Sequence, residues 1–113
     1  MTNDNAQPQT RREAFEAALA GCYEVEILVV DTGAELPENV WQSHPEVHER
    51  FCFLRYGLDM QKPIPDLVID ATGIHATLSF ACTPIKTFVP WEAVATIVGM
   101  GERPKQRAQL RAV

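Results

Sequence analysis

A mainly β fold of the α+β class, built on a small, strongly bent antiparallel sheet that curls into a half-open barrel, is what this chain predicts. Three observations lead there. Short β-branched runs follow one another across turn-sized connections; helical periodicity is confined to one stretch near each end; and no crossover helix, which a parallel α/β design requires, fits between successive strands. With 113 residues, 46% hydrophobic and 22% charged, the chain suffices for one core and leaves no room for a second domain.

Residues 1–9 are polar, with Pro8 near their end, and read as a disordered lead-in. Thr10-x-x-Glu13 is a capping box, whose hydroxyl and carboxylate satisfy the first free backbone N–H groups of a helix. Phe15, Ala18 and Leu19 give that helix one apolar stripe, and Gly21 ends it. A single short helix makes no core, so the stripe lies on the sheet or on another subunit.

Residues 23–31 (YEVEILVVD) are too valine-rich and too short for a good helix and predict a buried strand, closed by the turn chemistry of Asp31-Thr32-Gly33. Between 35 and 49 the pattern is mixed, with Pro37 and Pro45 each able to begin a helical turn. Residues 50–56 (RFCFLRY) form the next strand, followed by a loop over 57–65. Runs 66–70 and 74–80 flank Ala71-Thr72-Gly73 as a hairpin, and 86–89 adds another strand. Pro90 then starts a short helix over 91–98, with Trp91, Val94, Ala95 and Val98 on one face and Gly99 as its stop.

A formal net charge of −5 disfavours nucleic acid, whose phosphates need clustered Lys and Arg. No basic stretch followed by an apolar one, and no run of eighteen apolar residues, points to a membrane, so a cytoplasmic protein is expected. Cys22, Cys52 and Cys82 are far apart, without a C-x-x-C pair, and read as reduced packed side chains. His44 and His48 are not the H-E-x-x-H pattern, and Pro45 places His44 before the helical turn; no metal and no cofactor is expected. Asp66 and Asp70 read as solvated.

Residues 29–34 (Val-Val-Asp-Thr-Gly-Ala) resemble the apolar-Asp-Thr-Gly signature of retroviral-type aspartic proteases. There, two copies of Asp31 would share a proton across a two-fold axis. The predicted helix ahead of Asp31 and the lack of a glycine-rich flap in the proline-rich middle of the chain weigh against this alternative.

A broader resemblance covers residues 10–99. Phe80-Ala81-Cys82-Thr83-Pro84, the strand leading to Val89-Pro90, and Ala93-Val94 are similar to the segment of the SspB family in which Phe-Gly-Gly-x-Pro leads to Val-Pro and a short helix. Leu28-Val29-Val30-Asp31 is similar to that family's Leu-Val-Val-Asp strand, and Leu36-Pro37 to its Val-Pro element. Residues 107–113 (RAQLRAV) resemble the peptide by which these adaptors dock on ClpX.

The resemblance implies that the half-open barrel is of SH3/Sm-like kind, and that the protein is a ClpXP adaptor, not an enzyme. Residues 10–99 would be an SspB-like domain that binds an ssrA-type degradation tag, and 100–106 a short linker. Residues 107–113 would be a ClpX-docking tail, in which Leu110 and Val113 are apolar anchors and Arg107 and Arg111 supply charge complementarity. Its groove would lie between the loop carrying Met60, Lys62, Pro63 and Ile64 and the edge formed by Ser79, Phe80, Ala81 and Cys82. Phe15 and Leu19 would form the seam of a homodimer. Two departures stand out. Ala81 and Cys82 replace glycines, and the linker, at roughly 5–6 Å × √n, reaches only about 15 Å.

Overall fold

The computed structural model describes residues 10–57 and 64–102. One helix, α1 (Arg11–Gly21), precedes seven strands: β1 (Cys22–Val30), β2 (Gln42–His44), β3 (Val47–Tyr56), β4 (Val68–Ile69), β5 (Gly73–Phe80), β6 (Thr83–Pro90) and β7 (Val94–Glu102). Single 3-10 turns lie at Glu38–Val40 and Trp91–Ala93. The strands form two antiparallel sheets, ordered β2-β3-β1-β7 and β4-β5-β6. The mainly β composition is as expected, but the single bent sheet is not: the strands divide into two sheets, and among the described residues these close no barrel. The Trp91–Ala93 turn carries the chain from one sheet to the other, and an isolated bridge between Glu35 and Phe88 ties them.

Both halves of the capping box are made, Thr10 Oγ1 accepting from the Glu13 amide at 3.1 Å and Glu13 Oε1 from the Thr10 amide at 2.9 Å. The helix then turns its stripe inward. Phe15 is wholly buried and Leu19 nearly so; Phe15 meets Tyr56 edge-on at 5.2 Å and Trp91 at 6.0 Å. This corrects the expectation of a dimer seam at Phe15 and Leu19. One amphipathic helix has a single apolar face, and here the chain's own core uses it. Around Phe15 that core gathers Val25, Ile27 and Val29 of β1, Tyr56 of β3, Ile74 of β5 and Val89 of β6.

The helix expected over 91–98 is a second correction. Only the first three residues turn; from Val94 the chain is a strand paired with β1, Ile97 opposite Ile27 and Val98 opposite Glu26. Val94, Thr96, Ile97 and Val98 are β-branched, and a nine-residue ladder outweighs a weak i, i+3, i+4 pattern. Gly99 is then no helix stop. A Cβ there would collide with Cys22 Sγ, so glycine marks the place where β7 passes close under the end of α1. β7 also runs through residue 102, three residues into the expected linker. Pro45 begins no helical turn: it lies at the tip of the β2–β3 hairpin, between the paired residues His44 and Val47. Pro37, by contrast, does precede the 3-10 turn.

Candidate peptide-binding cleft

The cleft begins with how β5 and β6 are joined. Phe80 pairs with Thr83, leaving a two-residue turn in which Ala81 has φ 52° and Cys82 φ 68°. Positive φ at both central residues defines the hairpin turn whose twist suits the flanking strands, and it is the geometry that favours glycine. An L-residue in this region costs roughly 1–2 kcal/mol. The turn sets Phe80 and Pro84 at one end of an apolar cleft of about 710 Å³, whose walls are β5 on one side and β3 on the other. Phe53, Leu54 and Arg55 come from β3, Thr77, Leu78 and Ser79 from β5, and Ile64, Pro65 and Asp66 close the remaining side.

Among the described residues, both walls are open strand edges. β2 pairs with β3 only between Phe51 and Val47, and β4 with β5 only at Ile74 and His75. Strand alternation then decides which backbone groups face the cleft. The Arg50 carbonyl accepts from the Asp31 amide on the β1 side, so Phe53 and Arg55 direct their N–H and C=O groups to the opposite, open side. On β5, the Gly73 carbonyl accepts from the Asp70 amide on the β4 side, which puts Thr77 and Ser79 on that same side. Asp66 caps part of this edge, Oδ1 accepting from the Thr77 amide at 2.9 Å and Oδ2 from its hydroxyl at 2.6 Å. The Thr77 hydroxyl, then its amide, hold the Asp66 carboxyl below the ordinary range. Among the described residues, nothing pairs the edge at Ser79. Arg55 stands at the rim, 3.3 Å from Glu26 and 3.7 Å from Glu24.

Of the residues expected at a groove, Ile64, Ser79 and Phe80 line this cleft together. Ala81 and Cys82 form the exposed turn at its end and do not line it. Met60, Lys62 and Pro63, and the tail residues Arg107, Leu110, Arg111 and Val113, lie outside the described residues. The β3 wall was missed. Its signal was the alternation in residues 50–56, which sends Phe53 and Arg55 outward while Cys52, Leu54 and Tyr56 go in.

Asp31 sits just past the end of β1. Its Oδ2 accepts from Arg50 Nε at 2.9 Å and from the second Arg50 nitrogen at 2.5 Å, and the same guanidinium also bonds Glu38 and lies over Trp41. Those bonds, that to Glu38 first, raise the Arg50 pKa further. Asp70 is more than a solvated carboxylate. It accepts from the Thr72 hydroxyl at 2.6 Å, from the Thr72 amide at 2.9 Å and from the Gly73 amide at 3.2 Å, and its pKa falls to about 2, the Thr72 hydroxyl being the leading cause. His44 and His48 lie on the two strands of the β2–β3 hairpin, and Nδ1 of His44 accepts from the Glu46 amide. Among the described residues no three His, Cys, Asp or Glu side chains gather as a metal site needs, and no helix is long and apolar enough to cross a membrane. No family model matches the chain, and no curated protein or solved structure matches it.

Proposed function

We propose that the chain is a peptide-capturing adaptor of SspB-like kind, which holds an ssrA-type tag as an extended strand in the cleft between β3 and β5 and tethers the tagged protein to ClpX through residues 107–113. One observation carries this reading: two open strand edges, their backbone groups directed inward, face the same apolar cleft. A bound peptide adds main-chain hydrogen bonds at Ser79 or at Phe53 and Arg55, and alternate side chains fall on Leu54, Leu78 and Phe80. Seen this way, the two sheets are an SH3/Sm-like barrel left open along the β3–β5 seam. The left-handed turn at Ala81-Cys82 supports the resemblance, since the SspB pattern has glycines at those positions.

No bond is broken by such a protein. Tethering alone raises the cargo to about millimolar local concentration beside the motor, so a weak contact with the pore suffices. A homodimer, which the same resemblance implies, needs a surface other than Phe15 and Leu19. The test is titration of a labelled ssrA peptide against the wild-type chain and Ser79→Pro. This substitution removes one open-edge N–H without touching the β5–β6 ladder; losing one such bond, about 1.4 kcal/mol, weakens binding about tenfold. Unchanged affinity would exclude strand addition at β5. Capture by ClpX, lost when residues 107–113 are scrambled, tests the tether separately. Peptide hydrolysis at acid pH that vanished in Asp31→Asn would favour the protease instead.

A further inference from the structure

Among the described residues, the four-stranded sheet buries one face and leaves the other uncovered. Its register puts Glu24, Glu26, Leu28 and Val30 of β1 on the outward face with Phe51, Phe53 and Arg55 of β3 and Thr96, Val98 and Met100 of β7. Phe53 is 51% and Val98 46% exposed, Leu28 is half-buried, and Phe51 and Phe53 meet edge-on at 6.1 Å. Exposed apolar surface of this kind marks a contact not yet made.

We propose that residues 103–113 of the same chain rest on this face, with Leu110 against Leu28 and Phe53. Three features select this occupant. First, β7 ends at Glu102, opposite Cys22, so the following residues leave at the acidic end of the face. Second, the order of chemistry matches: Arg103, Lys105 and Arg107 come before Leu110 in the sequence, as Glu102, Glu24 and Glu26 come before Leu28 and Phe53 along the sheet. Arg55 reaches both Glu24 and Glu26 but brings one positive charge against those three carboxylates.

Third, the lengths and areas agree. The six steps from Glu24 to Val30 span about 20 Å at about 3.3 Å per residue, and eight steps separate Glu102 from Leu110, enough to reach Leu28 with slack. Three strands about 4.8 Å apart and about 20 Å long offer a footprint of roughly 300 Å². That is well under half of the ~800 Å² per partner of a stable complex, too small for a second copy to hold by itself. A segment tethered in the same chain needs far less, because its effective concentration is about millimolar. The face shares Phe53 with the wall of the cleft, but the inference does not rest on peptide capture there. It adds that Leu110 is withheld from any other partner while it rests there.

The experiment is methyl NMR on the full chain, comparing wild type with Leu110→Glu. Leu28 and Val98 on the outward face are expected to shift, with Leu78 in the cleft unmoved, and Arg103→Glu combined with Lys105→Glu to shift the same two methyls in the same direction. Wild-type spectra are expected not to change on dilution. Silence at Leu28 and Val98 would overturn the proposal. So would a shift at Leu78 instead, which would put the segment in the cleft, or a dilution dependence, which would put a second copy on the face. Peptide titration of Ser79→Pro reports on the β5 edge of the cleft separately, because Ser79 is not on this face.

Discussion

The two sheets finish their outward faces differently. On the three-stranded sheet the outward residues are Val68, His75, Thr77, Ser79, Pro84, Lys86 and Phe88, polar and apolar interspersed, and hydrogen bonds close much of their surroundings: Asp66 to Thr77, Asp70 to Thr72, and Trp91 Nε1 to the Asp70 carbonyl at 2.8 Å. On the four-stranded sheet the charged Glu24, Glu26 and Arg55 stand beside a contiguous apolar group, Leu28, Val30, Phe51, Phe53 and Val98. The inward faces are alike, because both contribute to one core. Burial therefore constrains only every second residue of a strand. The outward set is free to be finished with polar bonds or left apolar for a contact elsewhere.

The comparison can be broken first at what the sheets share. Phe15→Ala removes the ring between Tyr56 and Trp91 and should cost about 3–5 kcal/mol. Urea unfolding should show both sheets melting in one transition, and separate transitions would mean that they do not depend on a common core. Next comes Gly73→Ala on the three-stranded sheet alone. A Cβ there collides with the Val89 carbonyl, and overpacking of this kind costs about 1–3 kcal/mol, read from the same midpoint.

Smaller effects sharpen the contrast. Cys82→Gly relieves an L-residue at φ 68° and should gain about 0.5–1 kcal/mol after the entropy of the added glycine is subtracted. A loss on thermal melting would show that the Cys82 side chain contributes packing that outweighs the relief. Val98→Thr, on the outward apolar face, should move stability by no more than about 0.5 kcal/mol. A larger loss would mean that this side chain is part of the core. The last effect is in acid. The folded pKa of Asp70 is depressed, so its contribution is present above the unfolded carboxyl pKa of about 3.9 and is lost as pH falls towards about 2. In Asp70→Asn that portion of the acid dependence should flatten, with little change in the slope above pH 5.

Thiol chemistry offers a check on burial. Cys52 is packed in the core, and desolvation, with a smaller push from the Asp31 charge, raises its pKa to about 11. Cys82 is exposed at the turn. A thiol reagent at pH 8 should modify Cys82 in the folded protein and reach Cys52 only on unfolding. Tyr56 presents the opposite economy: among the described residues its buried hydroxyl has no hydrogen-bond partner, and burial holds its pKa well above the usual value. Tyr56→Phe should be close to neutral in stability, since it removes a polar atom that makes no bond.

Local chemistry was readable where it was self-contained. The capping box at Thr10 and Glu13, the turn at Asp31-Thr32-Gly33 and the hairpin around Ala71-Thr72-Gly73 each need only a few neighbouring residues, and each is present. Residues 94–98 failed for the converse reason. Their spacing fits a helical face as well as an outward and inward alternation, and what decides is a ladder to β1 formed with residues some seventy positions away. The cleft divides along the same line. Ile64, Ser79 and Phe80 come from segments whose pattern pointed to an edge, whereas Phe53 and Arg55 became a facing wall only because β2 is too short to cover β3.

What the sequence determined by itself was the order of the β-rich segments between residues 22 and 90, the short β2 apart, and the first helix with its one apolar face; that Ala81 and Cys82 stand where the resembling pattern has glycines was readable, their left-handed turn was not. Tertiary structure alone decided that the strands divide into two sheets, that Phe15 and Leu19 are used up inside the chain, and that two uncovered edges meet across one cleft. The reason is physical. Propensity and capping act over a few residues, whereas strand pairing and burial are settled by partners distant in the chain, whose competition no local pattern records.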